Sequence, residues 1–319
     1  MKILVTGGAG YVGSTLVPLL LAAGHRVRVV DALLHGGGPL LPVFADPAFE
    51  FVRADLTSAG TIAASVSGMD AVVHLAAIVG DPACAREPGR AKAVNLDASL
   101  ALLAAARAAG VKRFVFASTC SNYGRMKDPS TLVDENSELA PVSLYAETKV
   151  AMERALLAER GFAATPLRFA TVYGVSARMR FDLTVNEFTM EMLAKGKLVV
   201  FGEQFWRPYI HVRDAARALA LVLSAPEKTV GGRVFNVGST AENYQKKQLV
   251  DLIRPHAPDA VVEYVHRDED PRDYRVSFER VRSELGFEAA RTVPDGIAEV
   301  ARLVRSGIIG DFADPRYRN

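Results

Sequence analysis

Cysteine is scarce. Cys84 and Cys120 are the only two in 319 residues, too few for a disulfide-stapled scaffold. Neither stands at metal-ligand spacing from the other or from the six histidines, so no metal is expected. No apolar run approaches the roughly twenty residues that span a bilayer, and the first strand-like stretch starts at Lys2, which leaves no room for a signal peptide. An excess of charge is missing too. The formal net charge is +2, with basic residues scattered among acidic ones, which argues against nucleic acid as a partner. The expectation is a reduced cytoplasmic protein with no metal and no membrane segment. Half of the residues are hydrophobic, enough for one large domain or two modest ones with well-buried cores.

The chain is organised around its start. A short apolar run, Lys2-Ile3-Leu4-Val5-Thr6, feeds into Gly7, Gly10 and Gly13 and then into an apolar stretch over 12–21, which reads as strand, tight turn and helix. Three glycines at this spacing serve a tight turn, a close approach of backbone to a pyrophosphate, and close packing of helix on sheet. The N–H groups of Tyr11 and Val12 at the helix start would face phosphate, where the helix dipole also favours negative charge. A second strand over 27–30 ends in Asp31, about twenty residues beyond the glycines, where a carboxylate accepts from a ribose diol and repels a 2′-phosphate. NAD, not NADP, is the expected cofactor.

Further along, His35-Gly36-Gly37-Gly38-Pro39 is either a lip around the adenosine or a plain connector. Phe49–Arg53 reads as a third strand, closing on Asp55-Leu56. A fourth, over 71–75, ends in His74-Leu75-Ala76-Ala77, whose small residues would let a cofactor pass close by. His74 is expected to be packed or satisfied by its surroundings. Residues 91–109 read as one long helix capped by Gly110, with Asn95 in a structural role. Residues 114–116 form a fifth strand, which runs into Ser118-Thr119-Cys120-Ser121. Strand alternates with helix, which predicts an α/β fold with a doubly wound, Rossmann-type parallel sheet. The NAD-binding domain is expected over 1–173, with parts of 203–240 returning to it. A smaller mixed α/β substrate domain over 174–319 is interleaved with it. Residues 124–141 read as a surface loop.

Tyr145 and Lys149 are four apart at the start of a predicted helix, and so share a face. A tyrosine that acts as a base near neutrality needs its pKa lowered by about three units, on the order of 4 kcal/mol. An ammonium one turn away favours the phenolate in that direction.

Together these residues resemble the extended short-chain dehydrogenase/reductase family, in its nucleotide-sugar epimerase and dehydratase branch. The likeness runs from Thr6-Gly7-Gly8-Ala9-Gly10-Tyr11-Val12-Gly13 through Asp31, Asp55-Leu56, His74–Ala77, 118–124 and Tyr145…Lys149. It continues to Leu167-Arg168-Phe169, Val172-Tyr173-Gly174 and Arg207-Pro208-Tyr209-Ile210-His211-Val212-Arg213-Asp214. The resemblance implies that Tyr145 removes a sugar hydroxyl proton, that Thr119 hydrogen-bonds the same oxygen, and that Lys149 holds the nicotinamide ribose. Gly7, Gly10, Tyr11, Val12, Gly13, Asp31, Asp55, Leu56, Leu75, Ala76 and Ala77 are the implied NAD site.

Dehydratases of the branch carry an Asp-Glu pair after the hydroxyl residue, where this chain has Cys120 and Ser121. Without an acid and a base at these places 4,6-dehydration is disfavoured, and C4 epimerisation needs neither. Cys120 is either a small packing residue or an acid for C3 or C5 epimerisation. Ser121, Asn186 and Arg207 are implied substrate contacts, the last two at a diphosphate, with Arg267 and Arg272 as candidates for a second clamp. Ala170-Thr171 departs from the family's asparagine, which puts one substrate contact in doubt. Arg178 stands about where relatives that act on uronic acids hold the sugar carboxylate, which suggests a UDP-sugar such as UDP-glucuronate. Helices over 91–109 and 144–157 would pair across a two-fold axis in a homodimer. The alternatives are a reductase of 4-keto nucleotide sugars and a non-catalytic NAD sensor.

Overall fold

The structure is a computed structural model that describes residues 1–125, 131–268, 270 and 272–319. Its strands, in chain order, are β1 (Lys2–Thr6), β2 (Arg26–Asp31), β3 (Phe49–Arg53), β4 (Ala71–His74), β5 (Arg113–Thr119), β6 (Ala163–Phe169), β7 (Thr171–Tyr173), β8 (Lys197–Phe201), β9 (Trp206–His211), β10 (Phe235–Val237), β11 (Asn243–Gln245) and β12 (Val261–Val265). Seven of them form one parallel sheet in the order β10-β6-β5-β4-β1-β2-β3. Ile3 and Val5 of β1 pack on one face of this sheet, and Leu4 packs on the other. Such a strand has no polar side, so its sequence reads as a continuous apolar run and not as an alternation.

Helices Gly13–Ala22 and Val212–Ser224 cover the first face; Ala98–Ala108 and Leu144–Ala158 cover the second. Strands are added outward on one side of β1 up to β3 and on the other side from β4 onward, and a crevice forms at such a switch in strand order. Thr6 pairs with His74, so the glycine turn and the Leu75–Ala77 turn emerge side by side. Beyond β6, a three-stranded sheet (β11-β9-β7) and a two-stranded one (β12-β8) surround a separate core of Tyr173, Val185, Leu198, Tyr209, Leu249 and Ile297. β10 then returns to the edge of the main sheet beside β6.

Two local expectations are revised. The helix expected over 91–109 is broken: Pro88–Lys92 passes through a π-turn, Ala93–Asp97, into Ala98–Ala108. The wider turn lets Asn95 accept from the Ile78 N–H at 2.7 Å and donate to the Ile78 carbonyl at 2.9 Å, which ties the β4 exit loop to the helix. The fifth strand is longer than its apolar run, because Ala117, Ser118 and Thr119 continue the pairing with Leu167, Arg168 and Phe169. Within 124–141, residues 126–130 lie outside those described. Elsewhere in that stretch Val133 is bridged to Val276, and Glu135 accepts from the Asn236 N–H at 2.7 Å.

Candidate active site

Each glycine of the first turn meets a constraint visible in the backbone. Gly7 has φ +74°, and a Cβ there would lie 2.7 Å from the Ala76 nitrogen. At Gly13 a Cβ would lie 2.4 Å from the Gly7 carbonyl, so the helix packs on the turn only without a side chain. The Tyr11 and Val12 N–H groups have no acceptor among the described residues, so they are available to an anion at the helix start. Gly7, Gly10, Asp31, Asp55, Leu56 and the Leu75–Ala77 turn line one cleft. Leu34, His35 and Gly36, at the start of the glycine-rich loop, line it too. These features fit a dinucleotide. Asp31 accepts from the N–H groups of Ala9 at 3.0 Å and Leu33 at 2.8 Å. Burial pushes its pKa up against these bonds. Asp55 is held by the Thr57 N–H and hydroxyl, which lower its pKa.

Tyr11 contributes its backbone to the turn, but its phenol leaves the cleft and donates to the Gly174 carbonyl at 2.5 Å. His74 is wholly buried and satisfied at both nitrogens, by Thr6 Oγ1 at 2.6 Å and Ser99 Oγ at 2.8 Å. Burial, then Lys149, lowers its pKa to about 3, so the ring is neutral.

Ser143 caps helix Leu144–Ala158, accepting from the Ala146 N–H at 3.3 Å and donating to Asp81 at 2.7 Å. This places Tyr145 in the first turn, next to the end of β5. Lys149 Nζ donates to the Ala117 carbonyl at 2.7 Å and sits 4.5 Å from the centre of the Phe116 ring and 5.8 Å from that of Tyr145. Burial lowers the Lys149 pKa to about 8, against the pull of Cys84 and Glu153. Burial also raises the Tyr145 pKa, opposed by Arg180. In the protein alone, then, burial sets the direction of the phenol's shift. Thr119 Oγ1 accepts from the Ser121 N–H at 3.1 Å, which leaves its proton to donate. Cys120 is buried, its thiol directed at the Arg168 carbonyl and its pKa raised well above the usual value by burial. It is a packing residue in this arrangement.

On the opposite wall, Ser121 Oγ lies 3.3 Å from the Tyr274 hydroxyl. Arg207 donates to Asp270 at 2.7 Å, and Arg272 and Lys246 approach the same carboxylate at 3.6 Å each. Arg207 and Arg272 therefore converge, whereas Arg267 stays exposed, over the Phe201 ring. Asn186 is wholly buried and turned inward: its oxygen accepts from the Gly174 N–H, and its nitrogen donates to the Tyr11 hydroxyl and the Arg180 carbonyl. Its amide is thus engaged by protein groups. Arg178 is also buried, and donates to the Arg318 carbonyl at 3.0 Å and Asn319 Oδ1 at 2.6 Å. Burial, then Arg180, lowers its pKa to about 10, against the pull of Asp182, Tyr11 and Asp31.

Residues 3–238 match the model of the NAD dependent epimerase/dehydratase family. The chain belongs to this family. Its extended short-chain dehydrogenase/reductase character follows, and the cofactor is NAD. A UDP-glucose 4-epimerase of Corynebacterium glutamicum is 31% identical over 97% of both chains. A dTDP-glucose 4,6-dehydratase of an Actinoplanes species is 32% identical over 96% of this chain and 98% of its own. The solved structure of MoeE5 in complex with UDP-glucuronic acid and NAD superposes with a TM-score of 0.84, at 28% identity, over 97% of this chain and all of that one. No helix among the described residues is long and apolar enough to cross a membrane, and they hold no group of His, Cys, Asp and Glu placed to bind a metal.

Two features of this epimerase/dehydratase site were missed in the sequence. Lys246 joins the basic cluster from β11's far end, with no motif to announce it. Beneath β5, Glu153 and Arg168, each nearly inaccessible, pair at 2.7 Å. Ser118 donates to Glu153 at 2.5 Å, Asn122 donates to it at 2.8 Å, and Arg168 donates to the Tyr123 hydroxyl at 2.9 Å. The signal was there: Glu153 follows Lys149 by one helical turn, and Arg168 is the one charged residue of β6.

Proposed function

We propose that this chain is an NAD-dependent 4-epimerase of a nucleotide sugar, and that the nucleotide is UDP. The observation that carries the proposal is the pair that follows Thr119. Where the family's dehydratases place an acid and a base, this chain has the buried thiol of Cys120 and the hydroxyl of Ser121. Asp81, a carboxylate whose field reaches Tyr145, is committed to Ser143 and to Arg272 at 3.1 Å. Water elimination needs a proton donor for the departing hydroxide and a base for the C5 proton, and Cys120 and Ser121 supply no carboxylate for either task. Tyr145 takes the proton of the sugar's 4-hydroxyl and later returns it. Thr119 donates to the same oxygen, and Lys149 adds positive charge below and holds the nicotinamide ribose. NAD, when bound, takes hydride from C4 and gives it back. The basic cluster of Arg207, Arg272 and Lys246 suits the diphosphate, once that group displaces part of Asp270's hold.

UDP-glucuronate is the sugar we would test first, since MoeE5 binds UDP-glucuronic acid. Arg180, paired with Asp182 at 2.7 Å, is the guanidinium whose field reaches Tyr145, and it replaces Arg178 as the candidate for a sugar carboxylate. The test incubates purified protein with UDP-glucose, UDP-galactose, UDP-glucuronate and dTDP-glucose and follows the products by NMR. The C4 epimer of a UDP-sugar is expected, without net consumption of cofactor. A 4-keto-6-deoxy product would mean a dehydratase, and stoichiometric oxidation of added NADH would mean a reductase. Cys120→Ala is expected to keep C4 epimerisation within a few-fold, and deuterium uptake at C3 or C5 that the variant loses would reverse the reading of Cys120 as packing.

We also propose a homodimer. Leu100, Ala101 and Ala104 leave an exposed apolar strip on helix Ala98–Ala108, suited to a two-fold helical contact. Light scattering after gel filtration is expected to give twice the chain mass, and Leu100→Asp half of that; a monomeric wild type would refute it.

A further inference from the structure

The turn between β1 and helix Gly13–Ala22 holds four glycines in seven residues, Gly7, Gly8, Gly10 and Gly13, and glycine loses more backbone freedom on ordering than any other residue. Such a turn needs support to keep one shape. Some is local: the Gly7 N–H donates to the Val30 carbonyl at 2.9 Å, the Gly10 N–H to the Gly7 carbonyl at 3.1 Å, and the Ala9 N–H to Asp31 at 3.0 Å. None of these bonds reaches Tyr11, which is held from elsewhere. Its phenol, only 6% exposed, donates to the Gly174 carbonyl at 2.5 Å and accepts from Asn186 Nδ2 at 3.1 Å. Its carbonyl accepts from Ser176 Oγ at 2.7 Å. Of the three polar groups of Tyr11, the 174–186 stretch therefore binds two. The third is its N–H, which stands with that of Val12 at the helix start, where an anion is favoured.

The anchor on the far side is itself fixed. Gly174 has φ +100°, and a Cβ there would run into the His211 ring. The Gly174 N–H donates to Asn186 Oδ1 at 2.9 Å, and the Val175 N–H donates to Glu299 Oε2 at 3.1 Å, the same oxygen that His211 Nε2 meets at 2.7 Å. Ser176 Oγ also lies 2.9 Å from Ser14 Oγ, one helical position past Gly13. Asn186 and Glu299 come from helices Thr184–Met190 and Val293–Ser306, whose Val185 and Ile297 pack in the second core. The glycine turn is thus braced by elements that lie outside the main sheet.

We infer that Tyr11 is a positioning residue: its phenol, tied to Gly174 and Asn186, holds in place the turn whose N–H groups take the NAD diphosphate. The hydroxyl acts through the main chain, from the buried side of the turn. A turn ordered in advance spares the cofactor the entropy of ordering it on binding. The inference rests on the reading of this turn as the diphosphate site, and it is independent of which sugar is turned over.

The test measures binding, not turnover. Calorimetry compares NAD, ADP and adenosine on the full chain as wild type, Tyr11→Phe and Ser176→Ala. Tyr11→Phe keeps the ring and removes the hydroxyl. It is expected to weaken NAD and ADP about three- to ten-fold, the ordinary range for one hydrogen bond, and to leave adenosine within about two-fold, because Asp31 and Asp55 stand apart from the tie. Ser176→Ala loosens the same residue at its carbonyl, and should show the same preference at smaller size. It is the safeguard should Tyr11→Phe fold poorly. A role in the fold alone would lower the melting temperature without separating ADP from adenosine; that result, or ADP affinity unchanged in both variants, would overturn the tie. Wild type that binds ADP no better than adenosine would overturn the reading of the turn itself, and the inference with it.

Discussion

Tyr145→Phe is expected to lower turnover about 10²- to 10⁴-fold, the usual contribution of a positioned acid-base group, with NAD affinity nearly unchanged. The ring keeps its place in the first turn of helix Leu144–Ala158, so the variant removes one hydroxyl and little packing. The pH dependence carries more information than the loss itself. In the protein alone, burial raises the Tyr145 pKa and Arg180 opposes it. The phenol therefore stays protonated near neutrality, and the positive charge that frees its proton has to come with the loaded site. Lys149, at about 8, is charged below that pH and neutral above it. Turnover should rise with pH as Tyr145 ionises and fall as Lys149 loses its charge above about 8. Phenolate absorbance should grow when NAD is added to wild type and not to Tyr145→Phe. A Phe variant that keeps more than about a tenth of wild-type activity would remove Tyr145 from the role of base.

The sheet and the cofactor turn were legible because each rule there is local. Gly7 and Gly13 are forced because a Cβ there would come within 2.7 and 2.4 Å of backbone atoms, and Asp31 stands at the end of the strand beside them. Residues 114–116 gave the fifth strand its core, but its Ser118–Thr119 end is strand only because β6 lies alongside, and a partner strand is not visible in one strand's composition. Asn95 was placed correctly as structural while its π-turn was not foreseen, since the turn answers to Ile78, 17 residues earlier. The arginines were the hardest. Arg178, Arg180 and Arg267 are alike in sequence; burial against Asn319, pairing with Asp182 and exposure over Phe201 separate them, and those are tertiary facts. The tyrosine-lysine spacing told which groups meet, but not that burial would dominate the phenol's pKa.

Arg168→Met is expected to destabilise the protein by about 3–5 kcal/mol, the ordinary cost of leaving a buried partner charge uncompensated. Glu153 would stay under β5 with only Ser118 and Asn122 to answer it, in a setting where both members of the pair are almost without solvent. Glu153→Gln keeps the shape and part of the hydrogen bonding, and should cost less. The double variant Glu153→Leu, Arg168→Met removes both charges, and should recover much of the stability lost by Arg168→Met alone, because the pair's attraction largely offsets its own desolvation. Denaturant titration reads these differences. Equal stability of Arg168→Met and wild type would mean that the ion pair is not buried as described. Activity separates a second role from the first. Ser118, which donates to Glu153, directly precedes Thr119, and Lys149 sits one turn before Glu153 on the same helix. A network that holds these two groups at their places should, when its charges are removed but its stability is restored, lower kcat more than it raises KM. An unchanged kcat in the double variant would make the network a support for the fold alone.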